Sequence, residues 1–178
     1  ADRIAALSGA PVDELGWRLV PSKGNYFRID PRHAGRIGRL IYPVPPADGT
    51  TLGTHVCLDL DGQLRLGPDF ETLPTMGRGE PADLLDETWD YRVDPARLES
   101  FHRDAVRFLP WLRREDLGPD QCGIRPKLST SEFRDFVVHD ECGSRAGWVQ
   151  LIGIDSPGLT SAPALAEEVA ARVIPHLE

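Results

Sequence analysis

The chain contains neither GxGxxG nor GxxxxGK[ST], so none of its loops supplies a recognised cradle for the phosphates of a nucleotide. Lysine is nearly absent: Lys23 and Lys127 are the only two, every other basic side chain is arginine, and genome composition accounts for such a bias as readily as chemistry does. Cys57, Cys122 and Cys142 stand far apart and form no CxxC pair, which argues against a structural zinc site or a redox dithiol. They are expected as free thiols in a reducing compartment, taken to be the cytoplasm. No apolar run reaches about 18 residues, so no membrane span is expected. His33, His55, His102, His139 and His176 show no HExxH or other metal-like spacing, and G-x-S-x-G is missing, so neither a metal site nor a serine nucleophile elbow is expected.

The composition is that of a globular protein, with 40% hydrophobic and 27% charged residues among 178. Seventeen glycines and sixteen prolines imply many punctuated loops and exclude a helix bundle. A net charge of -8 argues against a nucleic-acid surface, which needs clustered basic residues to displace phosphate counterions.

Residues 1–7 read as the tail of an amphipathic helix. Residues 26–29 and 39–44 are short β candidates, the second demoted to an edge by Pro43. Residues 54–58 and 63–67 alternate with period two around Asp61-Gly62. A two-residue turn would pair Leu58 with Arg65 and set apolar against polar on both faces. A three-residue turn of Leu60, Asp61 and Gly62 pairs Leu58 with Leu64 and Val56 with Leu66, gives one apolar face, and places Gly62 where an αL residue is required. The opposite face then carries His55, Cys57, Arg65 and Gly67.

From Pro68 to about Asp90 the pattern is a long excursion with a short helical turn near 83–88. A helix follows, with Asp94 as cap, Pro95 at its first position, and Leu98, Phe101, Ala105, Phe108, Leu109 and Leu112 on one stripe, with a bend or stop expected at Pro110. Residues 136–139 read as a strand, and 148–154 as a central strand buried on both faces. A terminal helix from about Ser161 to Ile174, capped by Thr160 or Ser161, carries Leu165, Val169 and Val173 on its apolar stripe.

Three segments could carry chemistry, and each has an ordinary reading beside it. Residues 155–160 offer backbone donors at a helix start and a glycine that permits close approach of a flat ligand; a capped turn would look the same. Arg125 and Lys127 share a face if the segment is extended, where Arg125 could clamp a carboxylate and Lys127 could meet a flavin or a phosphate; surface ion pairs are the alternative. His55, near Tyr42 and beside Arg65, could move a proton during oxidation at carbon, or be a solvated strand histidine.

Taken in order, RLIYPVP at 39–45, LGTH at 52–55, the hairpin ending in LGPD at 66–69, GIRPKL at 123–128, DFVV at 135–138 and GIDSPGLT at 153–160 resemble the second half of FAD-dependent oxidoreductases of the D-amino-acid oxidase superfamily. Within it the chain is most similar to the L-2-hydroxyglutarate dehydrogenase or oxidase group. The resemblance implies an α+β fold: an antiparallel substrate-binding domain over 23–122, a crossover at 1–22, and at 123–178 the C-terminal strand and helix of an incomplete α/β FAD domain. The missing N-terminal FAD-binding domain would be supplied in cis or by a partner chain.

The same resemblance implies roles. Ser156, Pro157, Gly158, Leu159 and Thr160 would lie against the isoalloxazine ring, with Gly123, Ile124 and Arg125 as further cofactor contacts. Arg125 would meet the substrate carboxylate, with Tyr42, Arg65 and Lys127 around the substrate and His55 as general base. The implied reaction is oxidation of a small 2-hydroxy acid such as L-2-hydroxyglutarate; an oxidase of glycine or a D-amino acid is the alternative within the superfamily, and a non-catalytic carboxylate-binding or interaction module the alternative outside it.

Overall fold

The computed structural model describes residues 1–44, 53–73, 89–141 and 143–177. The helical turn expected near 83–88 lies outside them. The described chain has an α+β fold built on antiparallel sheets and divides into two units, one of residues 1–21, 73–88 and 125–178, the other of 22–72 and 89–124.

In the second unit the alternation around Asp61-Gly62 produces a hairpin of β2 (His55–Leu58) and β3 (Leu64–Gly67). Val56 faces Leu66 and Leu58 faces Leu64, the register that a three-residue turn requires. Gly62 sits at φ +75°, a conformation that L side chains resist, so a glycine terminates the turn. Val56, Leu64 and Leu66 are buried, while His55, Cys57 and Arg65 share the other face.

That hairpin joins β1 (Val20–Ile29), which is six residues longer at its start than 26–29. The extra length was hidden because Pro21, Ser22, Lys23, Gly24 and Asn25 are poor strand formers. They are held by partners: the Asn25 N–H and side-chain amide both donate to Asp69 Oδ1, at 2.8 and 3.0 Å, and Lys23 Nζ donates to the Arg92 carbonyl at 2.6 Å. Phe27 pairs with Leu66 and Ser22 with Thr72 of β4 (Glu71–Thr72), so β3 and β4 follow one another along β1 with one extra residue between them. β5 (Leu117–Lys127) pairs with β1 as well. Its Gly118, Pro119, Gly123 and Pro126 read as a loop in sequence, and only its end at 123–128 carried a signal.

One face of this sheet is covered by the segment around α2 (Leu98–Ala105), preceded by a 3-10 turn over Pro95–Arg97. The Asp94 side chain caps that turn by accepting from the Ala96 N–H at 2.9 Å, as Asp-Pro at a helix start predicts. Phe101, Ala105, Leu109 and Leu112 are buried against Phe27, Ile29, Val56 and Leu66, with the Phe27 and Phe101 rings 4.7 Å apart. Burial of one such aromatic side chain contributes about 2–3 kcal/mol.

In the first unit α1 (Asp2–Leu7), β6 (Val137–Asp140), β7 (Val149–Ile152) and α3 (Gly158–Val173) surround a smaller core of Ala5, Ala10, Val12, Trp17, Leu128 and Ile152. β7 departs from the expected central strand. Its one strand neighbour among the described residues is β6, Trp148 and Leu151 are 44% and 36% exposed, and the buried positions are Gln150 and Ile152. A continuous apolar run says that a strand can be covered on both faces, not that this chain supplies both covers. Gln150 is tolerated inside because its amide donates to Ser8 Oγ at 3.0 Å and to Glu141 Oε1 at 3.1 Å.

α3 begins at Gly158, three residues before the expected start. The later start rested on Thr160 or Ser161 as cap; the observed helix carries Pro163 in its interior. Neither Thr160 nor Ser161 caps the helix. The N-cap is Pro157, and Ser161 Oγ donates back to the Pro157 carbonyl at 3.1 Å.

Candidate functional site

The second unit assembles the first group of side chains. Ile41 forms an isolated antiparallel bridge with Val56, the Val56 N–H donating to the Ile41 carbonyl at 2.9 Å. That bridge carries Tyr42 alongside His55, and the two rings stack with centroids 4.5 Å apart and planes 30° from parallel. His55 is 8% exposed, so the reading of a solvated strand histidine does not hold. Its Nδ1 lies 3.1 Å from the Gly53 carbonyl oxygen. In a neutral imidazole this contact selects the tautomer that carries its hydrogen on Nδ1, which makes Nε2 the basic atom. Gly53 has φ +73°, and a Cβ there would come within 2.8 Å of Pro43 Cγ, so the carbonyl that orients His55 depends on glycine.

Arg65 stands on the His55 face of the hairpin, opposite Cys57. Its guanidinium is 3.2 Å from Asp120 Oδ2 and 3.7 Å from Asp59 Oδ2, so it meets a substrate carboxylate only by sharing or exchanging these partners. Burial pushes the Cys57 thiol above its ordinary range, against a smaller opposing pull from Arg65.

The second group belongs to the first unit. β5 is extended through Lys127, so Arg125 and Lys127 lie on one face of it by the strand period. Lys127 Nζ donates to Asp155 Oδ2 at 3.1 Å, and the two side chains are 26% and 15% exposed. This ion pair ties the end of β5 to the loop that opens α3. Gly153 in that loop has φ +72°, and a Cβ there would come within 2.6 Å of Leu128 Cγ, so glycine lets Leu128 pack onto the turn. Asp155 was visible within GIDSPGLT, but only the fold pairs it with Lys127.

Arg125 differs from its neighbour. It is partly buried, and among the described residues it has no hydrogen-bond or ion-pair partner. The start of α3 is likewise open: no side-chain cap and no acidic residue occupies its first turn, and Leu159 is 93% exposed. The Gly158 N–H bonds to the Asp155 carbonyl and the Ser161 N–H to the Pro157 carbonyl, so Leu159 and Thr160 supply the backbone donors of that turn. Gly158, Leu159 and Thr160 therefore lie in a helix rather than in the loop expected before it. Gly123 and Ile124 lie within β5; a Cβ on Gly123 would meet no atom within 4 Å.

The chain is 38% identical to the mitochondrial L-2-hydroxyglutarate dehydrogenase of Arabidopsis thaliana over 90% of its own length and 34% of the relative's. To the mitochondrial human enzyme of the same name it is 38% identical over 100% of its length and 43% of the relative's. The chain thus spans between a third and a half of these relatives. Its fold is shared with the dithionite-reduced, FAD-bound L-alpha-glycerophosphate oxidase of Mycoplasma pneumoniae, at a TM-score of 0.61 and 21% identity, covering 87% of this chain and 36% of that one.

The expected cytoplasmic location is overturned. The relatives from Arabidopsis, two Caenorhabditis species, mouse and human are all mitochondrial enzymes by name. The expectation rested on scattered cysteines, which separate reducing from oxidising surroundings but do not separate one reducing compartment from another. The family model for FAD dependent oxidoreductases matches residues 2–172. The chain belongs to the FAD dependent oxidoreductase family, whose cofactor is FAD.

Proposed function

We propose that the protein carrying this chain oxidises a small 2-hydroxy acid, with L-2-hydroxyglutarate the leading candidate, and that Arg125 holds the substrate carboxylate. The observation that carries this reading is the state of Arg125, a partly buried guanidinium without a partner among the described residues. A cation removed from water normally acquires a counter-charge, so one left open is suited to an anionic ligand. The hydroxyglutarate dehydrogenases among the relatives point to the same substrate class.

The first turn of α3 suits the electron-rich edge of a flavin: it presents backbone N–H groups, carries no acidic side chain, and has the positive end of a sixteen-residue helix behind it. Ser156, Pro157, Gly158, Leu159 and Thr160 would hold that edge, with Gly123 and Ile124 as further contacts. Lys127 would act through Asp155 by fixing the loop. The phosphates of FAD would be held by residues outside these 178, in the same polypeptide or in a partner chain. When bound, FAD accepts the hydride equivalent from the substrate α-carbon.

The chain's own part is to bind, orient and move a proton. His55, with its hydrogen on Nδ1 towards Gly53, would take the hydroxyl proton at Nε2. Tyr42 would hold the imidazole plane, and Arg65 would reach the substrate by exchanging Asp59 or Asp120 for its second carboxylate.

The test is anaerobic mixing of the FAD-loaded intact protein with paired substrates: L- and D-2-hydroxyglutarate against L-glutamate, D-glutamate and glycine. Bleaching of the flavin band by L-2-hydroxyglutarate, at least about tenfold faster than by any amine, is expected. Bleaching by the amino acids alone would overturn the reading.

A further inference from the structure

Within the second unit, the turn after β1 and the segment after α2 border an open pocket of about 590 Å³ that none of the chemistry above uses. Its base is Asp116, whose side chain is 1% exposed. That carboxylate accepts from the Arg113 backbone N–H at 2.9 Å, pairs with the Arg32 guanidinium, and lies 3.3 Å from His33 Nε2. Beside it the Arg36 guanidinium lies over the Trp111 ring, 4.2 Å from its centroid, and the His33 ring is 4.7 Å from the same indole.

The charge here is opposite to that of the whole molecule. Arg32, Arg36 and Arg113 against Asp116 give the lining a net charge of +2, three positive and one negative, in a chain whose net charge is -8. Arg32 is balanced by Asp116, and Arg113 has Glu115 at 3.9 Å. Arg36 has no carboxylate within ion-pair distance among the described residues; its contacts are Trp111 and, at 3.5 Å, His33 Nδ1. His33 responds to the local field: burial first, then Arg32 and Arg36, lower its pKa, with Asp30 pulling the other way.

Arginines on surfaces are usually mobile and solvated. Here Arg32 is anchored to a buried carboxylate and Arg36 to an indole, so much of the cost of ordering two guanidinium groups is met before a ligand arrives. Trp111 is already engaged by Arg36 and His33, which leaves charge rather than ring stacking as the means of recognition.

We propose that this pocket is a second ligand site, distinct from the residues assigned to oxidation, and that it takes an oxyanion of the phosphate class. With Arg32 set against Asp116 and Arg113 near Glu115, Arg36 is the guanidinium left without a carboxylate, and a phosphate offers more acceptor oxygens than a monocarboxylate, enough for Arg36 and its neighbouring guanidinium groups at once. The same chemistry could reach the pocket as free phosphate or as the headgroup of an anionic lipid.

The experiment titrates inorganic phosphate into the FAD-loaded intact protein at constant ionic strength, following the His33 ring resonances. FAD in excess keeps phosphate from reporting on the cofactor site. Saturable shifts at His33, weakened about tenfold or more in both Arg36→Gln and Arg113→Gln, are expected; Arg113 is 73% exposed at its side chain, so that variant tests the charge without threatening the fold. Flotation with phosphatidylcholine vesicles, with and without phosphatidic acid, separates the sources: retention only on the acidic vesicles, lost in both variants, identifies a headgroup. If neither phosphate nor acidic vesicles perturb His33 saturably, or if both variants bind as the parent does, the proposal is overturned.

Discussion

The imidazole of His55 lies on the ring of Tyr42, with centroids 4.5 Å apart, because the Ile41–Val56 bridge brings two short segments side by side. A stacked aromatic pair contributes about 0.5–1.5 kcal/mol beyond area burial and here holds the plane of the imidazole proposed as the base. In the intact enzyme Tyr42→Ala should therefore lower kcat/KM up to about tenfold, while Tyr42→Phe, which keeps the ring, should stay within about twofold. Equal activity of Tyr42→Ala and the parent, with His55→Ala inactive, would show that the stack does not position the base.

The Lys127–Asp155 pair is held at 3.1 Å with both side chains largely covered. Lys127→Met leaves Asp155 without its cation and should cost about 1–3 kcal/mol in denaturant unfolding. Asp155→Asn should recover part of that loss when combined with Lys127→Met. A double-mutant cycle with no coupling would mean that the pair does not anchor the α3 loop.

The hairpin of the second unit was legible because it obeys alternation. Leu58, Leu64, Val56 and Leu66 admit one register that gives a single apolar face, and a slip would turn Leu66 outward. β1 and β5 were cut short for the opposite reason: their strand pairing is decided by partners distant in sequence, such as Asp69 for Asn25 and the Pro119 carbonyl for Arg28 at 2.7 Å. The site divides the same way. His55 and Arg125 were visible as residue types within motifs. That Arg65 and Lys127 are already paired, whereas Arg125 is not, depends on Asp120, Asp59 and Asp155, and no local pattern reports it.

Gly62 offers a measure of how firmly the turn sets the register. Its φ is +75°, and a Cβ would have only the Gly35 nitrogen nearby, at 3.9 Å, so substitution costs conformation rather than space. Gly62→Ala should destabilise by about 1–2 kcal/mol. Leu66→Ala, which empties a fully buried position, should cost about 2–5 kcal/mol. Equal midpoints for parent and Gly62→Ala in urea would mean that the turn relaxes to another type.

Because the sequence contains no GxGxxG, these 178 residues should retain little flavin when purified alone, whereas the intact protein should retain it stoichiometrically. Absorbance in the flavin bands, relative to that at 280 nm, checks both. A fully loaded 178-residue chain would show that the phosphates of FAD find their partners within it.

Cys57 tests the electrostatics of the His55 face without any assumption about substrate. Burial raises its thiol pKa above the ordinary value of 9.0, and Arg65, aligned with it across the hairpin, opposes that rise. A folded pKa above the unfolded one means that the native state holds the proton more tightly. The associated stability is therefore present below pH 9.0 and declines as pH rises from there through the folded value. Two outcomes follow. Alkylation of Cys57 by iodoacetamide, followed by mass spectrometry, should have a midpoint above pH 9.0, and Arg65→Met should move it higher still, because the thiolate loses its stabilising charge. Cys57→Ala should remove part of the decline in stability above pH 9.0. An unmoved midpoint in Arg65→Met would mean that Asp59 and Asp120 already neutralise the field of that arginine at Cys57.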